Sequence, residues 1–284
     1  MQGGRISRGW QLAKKSWAVL QNDRSLMLFP VISFFAGVCA LVLCIAPGIV
    51  ASAAADGSEV PLIIAGVLAA YVLTFVAIFF QVALAASASR SLEGADTSIG
   101  EGISLAFSKI GAIVGWSAVQ ATVGLVLNAL QSDDNVVGTI LSVILNVAWS
   151  VITFFVVPVI ALEGLGPIAA IKRSASVVRQ RWGEGIVGSA VIGGVVFLIA
   201  LLPIAVLGVA GFAAVEAAPA AGIALFVLAG LVLVAAVLIG STLNAIFRVA
   251  LYRFATEGAT VGGFTGPELE SAFRPKRGRG LLRR

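Results

Sequence analysis

Residues 61–86 read PLIIAGVLAAYVLTFVAIFFQVALAA, an apolar run without a single charged side chain. A helix of about 20 such residues crosses the roughly 30 Å hydrocarbon core of a bilayer. Because a backbone in lipid has no water to bond, a run of this length is expected to be an α-helix. In the whole chain, 59% of the residues are hydrophobic and 12% are charged. So apolar a chain does not fit one water-soluble core, and the sequence predicts an all-α integral membrane protein.

Five further stretches have the same character. We predict six transmembrane helices at 26–49, 61–86, 110–130, 136–160, 186–209 and 220–247. None of these stretches shows the polar and apolar alternation that barrel strands require. We therefore assign residues 1–255 to one membrane domain and residues 256–284 to a basic cytoplasmic tail.

The charges predict how the chain is oriented. All 19 Lys and Arg residues precede the first span, separate the second from the third or the fourth from the fifth, or follow the sixth. The remaining three connections carry only the acidic residues Asp56, Glu59, Asp133, Asp134 and Glu216. By the positive-inside rule, we expect both termini to be cytoplasmic. Our leading hypothesis places the protein in a bacterial cytoplasmic membrane. Membrane topology thus accounts for the pI near 9.7, and no nucleic-acid partner is indicated.

A basic amphipathic segment precedes each odd-numbered span. The first, predicted as a helix at 5–21, has apolar residues at helical spacing: Ile6, Trp10, Ala13, Trp17 and Leu20. The pattern returns at 167–182, where Lys172-Arg173-Ser174 matches Lys14-Lys15-Ser16, and more weakly at 98–109. Such helices lie in the membrane interface. We predict three hairpins, each preceded by an interfacial helix, the alternative being chance amphipathicity beside each span.

Two sets of side chains are candidate binding residues. Basic residues of the amphipathic helices are candidate contacts to anionic lipid headgroups: Arg8, Lys14, Lys15, Lys172, Arg173, Arg179 and Arg181. Polar residues within the spans either bond neighbouring helices or line a pocket: Gln81, Gln120, Asn128, Asn146 and Asn244. The predicted partners are the lipid bilayer, its anionic lipids and other membrane proteins.

Several short motifs resemble a family of uncharacterised prokaryotic six-span membrane proteins. They are the Lys/Arg-Ser pairs, Pro158 to Glu163 before Gly164, and Leu251-Tyr252-Arg253-Phe254-Ala255 with Gly258. The hairpin units are more distantly similar to the inner-membrane protein YciC and to the membrane domain of glycerophosphodiester phosphodiesterases. The resemblance covers nearly the whole chain and implies the six-span fold. It implies no hydrolysis, because the soluble phosphodiesterase domain is missing from this sequence.

These features favour a non-enzymatic scaffold or accessory subunit in envelope or membrane organisation. The sequence indicates no catalytic residues, no cofactor and no metal, and it has no His. The main alternative is a passive transporter, channel or lipid-transfer component with a pocket lined by Gln81, Asn146 and Asn244. A membrane enzyme is the third class. Only Glu163, Glu184 and Arg173 lie close enough in sequence to suggest a cluster of reactive groups.

Overall fold

The computed structural model describes residues 5–131, 136–181, 188–266 and 269, and the regular structure in these ranges is helical throughout. The helices are α1 Arg5–Asn22, α2 Leu28–Ala54, α3 Val60–Leu92, α4 Ile99–Ser108, α5 Ile110–Gln131, α6 Val136–Ile152, α7 Val156–Glu163, α8 Pro167–Arg181, α9 Gly188–Val215 and α10 Pro219–Glu257. A short 3-10 turn, Arg24–Met27, leads into α2. The prediction of an all-α chain is confirmed.

Several helices of the described chain are suited to a membrane. Five stretches are long and apolar enough to cross a bilayer: Arg24–Ala54, Val60–Leu92, Ile110–Leu130, Gly138–Glu163 and Pro219–Glu257. They coincide with five of the six predicted spans. The remaining span, 186–209, begins outside the described residues and continues in α9, whose apolar stretch Ile199–Val215 is shorter. The helical membrane class is therefore confirmed, and the count of six spans stays a prediction.

The two longest helices extend past the predicted inner ends of their spans. α3 continues to Leu92 instead of ending at residue 86, and α10 continues to Glu257 instead of residue 247. Most apolar residues of these extensions are buried in the hydrophobic core, whereas Val42 and Leu43 in α2 are 58% and 73% exposed. Apolar side chains that face lipid need no protein cover. The core consequently lies at the end of the helices where the basic residues cluster.

The fourth predicted span, 136–160, is not one continuous helix. α6 ends at Ile152 and α7 begins at Val156. Pro158 has no N–H to donate to the carbonyl four residues earlier, and its ring would clash there, so a continuous helix is disfavoured at this point. Ser174 of α8 fills the gap, since its hydroxyl donates to the Ile152 carbonyl at 2.6 Å and accepts from the Phe155 N–H at 3.0 Å. The break is therefore stabilised by a side chain from another helix.

The three predicted interfacial segments are all helical, as α1, α4 and α8. Ser98 caps α4 by accepting from the Glu101 N–H, in a capping box. Of the predicted stripe of α1, Ala13 and Leu20 are buried while Trp17 is 40% exposed. The buried face also includes Leu12, Ser16 and Val19. The buried face of α8 uses the corresponding positions: Ala170, Ser174 and Val177. Contact with protein, rather than lipid alone, thus determines which face is covered.

The packing of these three helices follows a regular order. α4 packs chiefly on α3, α8 packs on α5, α6 and α7, and α1 packs on α9 and α10. Each short helix therefore contacts helices that precede it in the chain, and α1 closes the series against the last pair. α3 contacts α2, α5, α7 and α10, which makes it the central helix of the described structure.

The beginning of the predicted tail is folded onto the membrane domain. Phe264 and Leu269 are buried in the core. The Gly262 N–H donates to the Leu92 carbonyl at 3.1 Å, and Lys15 Nζ donates to the Gly263 carbonyl at 2.7 Å. The chain as far as these residues is therefore packed against the helices, and the boundary between domain and tail at residue 256 stays a prediction. The rest of 256–284 lies outside the described residues.

Candidate functional site

The same two-residue motif, Glu-Gly, lies at the end of three helices. α7 and α10 end at Glu163 and Glu257, each followed by a glycine, and α3 ends at Leu92, directly before Glu93-Gly94. The three glycines have φ values of +83°, +67° and +69°, the left-handed conformation that commonly ends a helix and that glycine adopts without strain. The three carboxylates thus lie within one residue of the ends of the three helices.

Two adjacent residues of α10 join these carboxylates. The Tyr252 hydroxyl, on a residue that is only 2% exposed, donates to Glu163 Oε1. Arg253 forms ion pairs with Glu93 and, at 3.4 Å from Nε to Oε2, with Glu257. We call Glu93, Glu163, Tyr252, Arg253 and Glu257 the glutamate clasp. It connects the ends of α3, α7 and α10.

Two basic residues from the short helices and their connections lie close to the Glu163-Gly164 part of the clasp. Arg173 of α8 donates from Nε to Glu163 Oε1 at 3.0 Å, and this hydrogen bond raises the pKa of the Arg173 guanidinium above its ordinary value. Lys109, which follows α4, places its ammonium group 2.7 Å from where a Cβ on Gly164 would lie. Since the Arg173 and Glu163 side chains are 40% and 30% exposed, solvent screens their pair and its contribution to stability is modest.

Replacing Tyr252 by Phe is expected to lower the free energy of unfolding by about 1 kcal/mol, because a hydrogen bond to a carboxylate is lost in a partly solvated site. SDS titration of the purified protein, followed by tryptophan fluorescence, measures the change. Tyr71→Phe in α3 is the matched control, since its hydroxyl makes no hydrogen bond within the part of the chain described. Equal unfolding midpoints for both variants would show that the clasp contact does not stabilise the fold.

A cavity of about 510 Å³ lies between α2, α3, α7 and α10. Its polar lining residues are Ser33, Gln81, Ser241, Asn244 and Arg248. Arg248 lies with its guanidinium carbon 4.8 Å from the centre of the Phe154 ring, and its Nε is buried without a hydrogen-bond partner in the described chain. The cavity thus combines one cation with neutral polar groups on an apolar background.

The structure brings two of the five predicted polar residues together. Gln81 and Asn244 line the cavity. Gln120 instead accepts from the Trp149 indole N–H at 2.9 Å, which joins α5 to α6 as a helix-packing contact. Asn146 is exposed and accepts from the Ser150 hydroxyl at 3.4 Å on its own helix, while Asn128 is exposed on α5. The predicted pocket of Gln81, Asn146 and Asn244 therefore lacks Asn146.

The candidate headgroup contacts differ in their surroundings. Lys14, Lys172 and Arg179 are exposed, as lipid contact requires. Lys15 and Arg173 are engaged within the protein by Gly263 and Glu163. The side chains of Arg8 and Arg181 lie outside the described part of the structure, as does Glu184. Arg173 and Glu163, the remaining pair considered for a membrane enzyme, form an ion pair.

Sequence reasoning counted Arg248 only among the basic residues that flank spans, and it did not consider Glu93. The Glu-Gly pair was the available signal for the clasp, but it also occurs at 101–102 and 184–185, so the sequence alone does not distinguish the three pairs at the helix ends. Arg248 could have been found from helical spacing, because Ser241, Asn244 and Arg248 recur at intervals of three and four residues and so share one face of α10.

The apolar helices and the polar cluster at one end define a helical membrane protein. The chain belongs to a family of unknown function, DUF6159, whose model matches residues 62–263. That range includes the whole clasp and most of the cavity lining. No curated protein and no solved structure matches the chain. The prediction of an uncharacterised family is confirmed, and the distant likenesses to YciC and to phosphodiesterase membrane domains gain no support.

Proposed function

We propose that this chain is a non-enzymatic scaffold or accessory subunit of the bacterial cytoplasmic membrane that binds other membrane proteins and anionic lipids. Its six spans form three hairpins, each preceded by an interfacial helix, with both termini in the cytoplasm. The likeness of the hairpins to YciC and to the membrane domain of glycerophosphodiester phosphodiesterases stays part of this prediction.

The glutamate clasp is the observation that carries the proposal. It ties α3, α7 and α10 together through Tyr252 and Arg253, at the end of the molecule where the core is also packed. Because the helix ends are bonded to one another, the exposed basic residues Lys14 and Lys172 are held at fixed positions relative to the helices. A fixed basic surface suits the binding of anionic headgroups and of partner proteins better than it suits a moving gate.

Proteoliposomes test this role against transport. Purified protein, reconstituted in phosphatidylglycerol and phosphatidylethanolamine vesicles, is expected to move solutes and labelled lipids no faster than protein-free vesicles do. Purification in mild detergent, followed by mass spectrometry, is expected to recover a stoichiometric partner protein. Solute or lipid movement well above the empty vesicles would contradict the scaffold role.

A passive transport or lipid-transfer role is the second candidate, and the cavity is the observation that favours it. Gln81 and Asn244 contribute neutral polar groups, and the cavity is formed by helices from all three proposed hairpins. Transport would require the cavity to open alternately or to continue to the other side. Faster lipid movement in the same proteoliposomes would favour this role.

A further inference from the structure

Arg248 is a half-buried cation whose Nε is fully buried, and it has no matching anion among the described residues. No acidic residue lines the cavity, and the guanidinium makes no hydrogen bond or ion pair with the residues that the structure describes. The Phe154 ring, 4.8 Å away, offsets only part of the cost of removing the charge from water. Buried charges in proteins are generally paired, so an anionic ligand would complete this site.

The neutral polar groups define what else the ligand carries. Asn244 donates from Nδ2 to the Gly240 carbonyl at 3.0 Å, which leaves its Oδ1 to accept from a hydroxyl. Gln81 is exposed at the cavity and offers both an amide donor and a carbonyl acceptor. Without a lining carboxylate there is no counter-charge for an ammonium headgroup. An anion that bears hydroxyl groups is therefore preferred over a zwitterion.

Phe34, which is 43% exposed, and Ser241 are exposed residues of the cavity lining. Both fall within the predicted spans, whereas Arg248 comes one residue after the predicted end of the sixth span. A ligand with its anionic group at Arg248 and its apolar chains past Phe34 has the orientation of a lipid in the predicted cytoplasmic leaflet.

We propose that this cavity binds one anionic phospholipid with a hydroxylated headgroup, such as phosphatidylglycerol, with its phosphate on Arg248 and its acyl chains leaving toward the bilayer past Phe34. The volume of about 510 Å³ lies within the roughly 300–1,000 Å³ of small-ligand sites, so it accommodates the headgroup and the first part of the chains. The site goes beyond the proposed function, because a scaffold or a transfer protein could hold such a lipid equally well.

Native mass spectrometry of the full chain in detergent tests the site. Phosphatidylglycerol and phosphatidylcholine with the same acyl chains are added at equal concentration. We expect the wild type to retain one phosphatidylglycerol, and Arg248→Gln to bind it about tenfold more weakly, since charge-assisted hydrogen bonds of this kind contribute a factor of ten or more. Phosphatidylcholine binding should not change.

Two further variants separate the site from the protein surface. Ala245→Phe keeps the charge and fills the cavity, so it should also release the lipid. Arg90→Gln is the matched control, because Arg90 is exposed, pairs with Glu101 and lies outside the cavity. If Arg248→Gln fails to fold, Ala245→Phe still tests the site. Unchanged phosphatidylglycerol binding in the foldable cavity variants would overturn the proposal.

Two competitors identify the source of the anion. Inorganic phosphate at millimolar concentration should not displace the lipid, since it lacks the apolar chains that contact Phe34. Oleate should compete weakly, because its carboxylate has no headgroup hydroxyls for Asn244. Displacement by inorganic phosphate would make the site one for free phosphate, and tighter binding of oleate would make it one for fatty acid. Either result contradicts the phospholipid assignment, and neither changes the outcome of the transport and partner experiments.

Discussion

Replacing Gly102 by Ala is expected to lower the free energy of unfolding by about 1–3 kcal/mol, the usual cost of overpacking a filled core. A Cβ at this position would lie 2.4 Å from Ser87 Oγ and 2.5 Å from Cζ of Phe29. Phe29 is fully buried and Ser87 is 1% exposed, so neither can move away without disturbing the core. Gly102 thus allows α4 to approach α2 and α3 closely.

Gly100 provides a control in the same helix. A Cβ there meets nothing within 4 Å, so Gly100→Ala should raise the unfolding free energy by about 0.5 kcal/mol through its better helix propensity. SDS titration followed by tryptophan fluorescence measures both variants. The two substitutions are chemically identical and are expected to have opposite signs. If Gly102→Ala proved as stable as the wild type, the close packing of α4 on Phe29 would be wrong.

The second large effect is expected at Ser174. Ser174→Ala removes the hydroxyl that bridges the Ile152 carbonyl and the Phe155 N–H at the break between α6 and α7. Ser174 and Phe155 are fully buried, so water does not readily replace the lost partner. Each buried polar group left unsatisfied costs about 1–3 kcal/mol, and we expect a total loss of roughly 2–4 kcal/mol.

Ser16 is the residue of α1 that corresponds to Ser174, so its substitution serves as the control for Ser174→Ala. It is also fully buried, but its hydroxyl has no hydrogen-bond partner in the described chain. Ser16→Ala should therefore leave stability unchanged or raise it slightly, since only an unsatisfied group is removed. The same SDS titration applies. Comparable losses at Ser16 and Ser174 would indicate that the hydroxyl at the α6–α7 break contributes no more than packing volume.

The repeat was predictable, but the role of each copy was not. The Lys/Arg-Ser pairs relate α1 to α8, and their buried faces use corresponding residues. The helix opposite each copy differs, however: α8 meets a broken helix whose backbone needs partners, and α1 meets α9 and α10. The predicted stripe of α1 is divided in the structure, where Ala13 and Leu20 are buried and Trp17 is 40% exposed, since amphipathicity alone does not distinguish a face against lipid from a face against protein.

The candidate site was predicted in part. Gln81 and Asn244 were recognised as polar residues in apolar surroundings, and both line the cavity. Asn146 has the same sequence signature but is exposed on α6, because the contacts between helices determine which face meets a neighbour. Arg248 escaped notice because a basic residue at the end of a span has an ordinary explanation in topology.

The sequence by itself determined the helical membrane class, the positions of five apolar helices and the short helices between them. These properties depend on local composition and periodicity, because a sufficiently long apolar segment in a bilayer forms a helix that spans it. Only the tertiary structure decided the break at Ile152, the joining of three Glu-Gly ends by Tyr252 and Arg253, and the isolation of Arg248 in a cavity. Those features depend on residues far apart in the chain. Their energies arise only when the packed helices exclude water, because each polar group then either has a partner in the protein or lacks one.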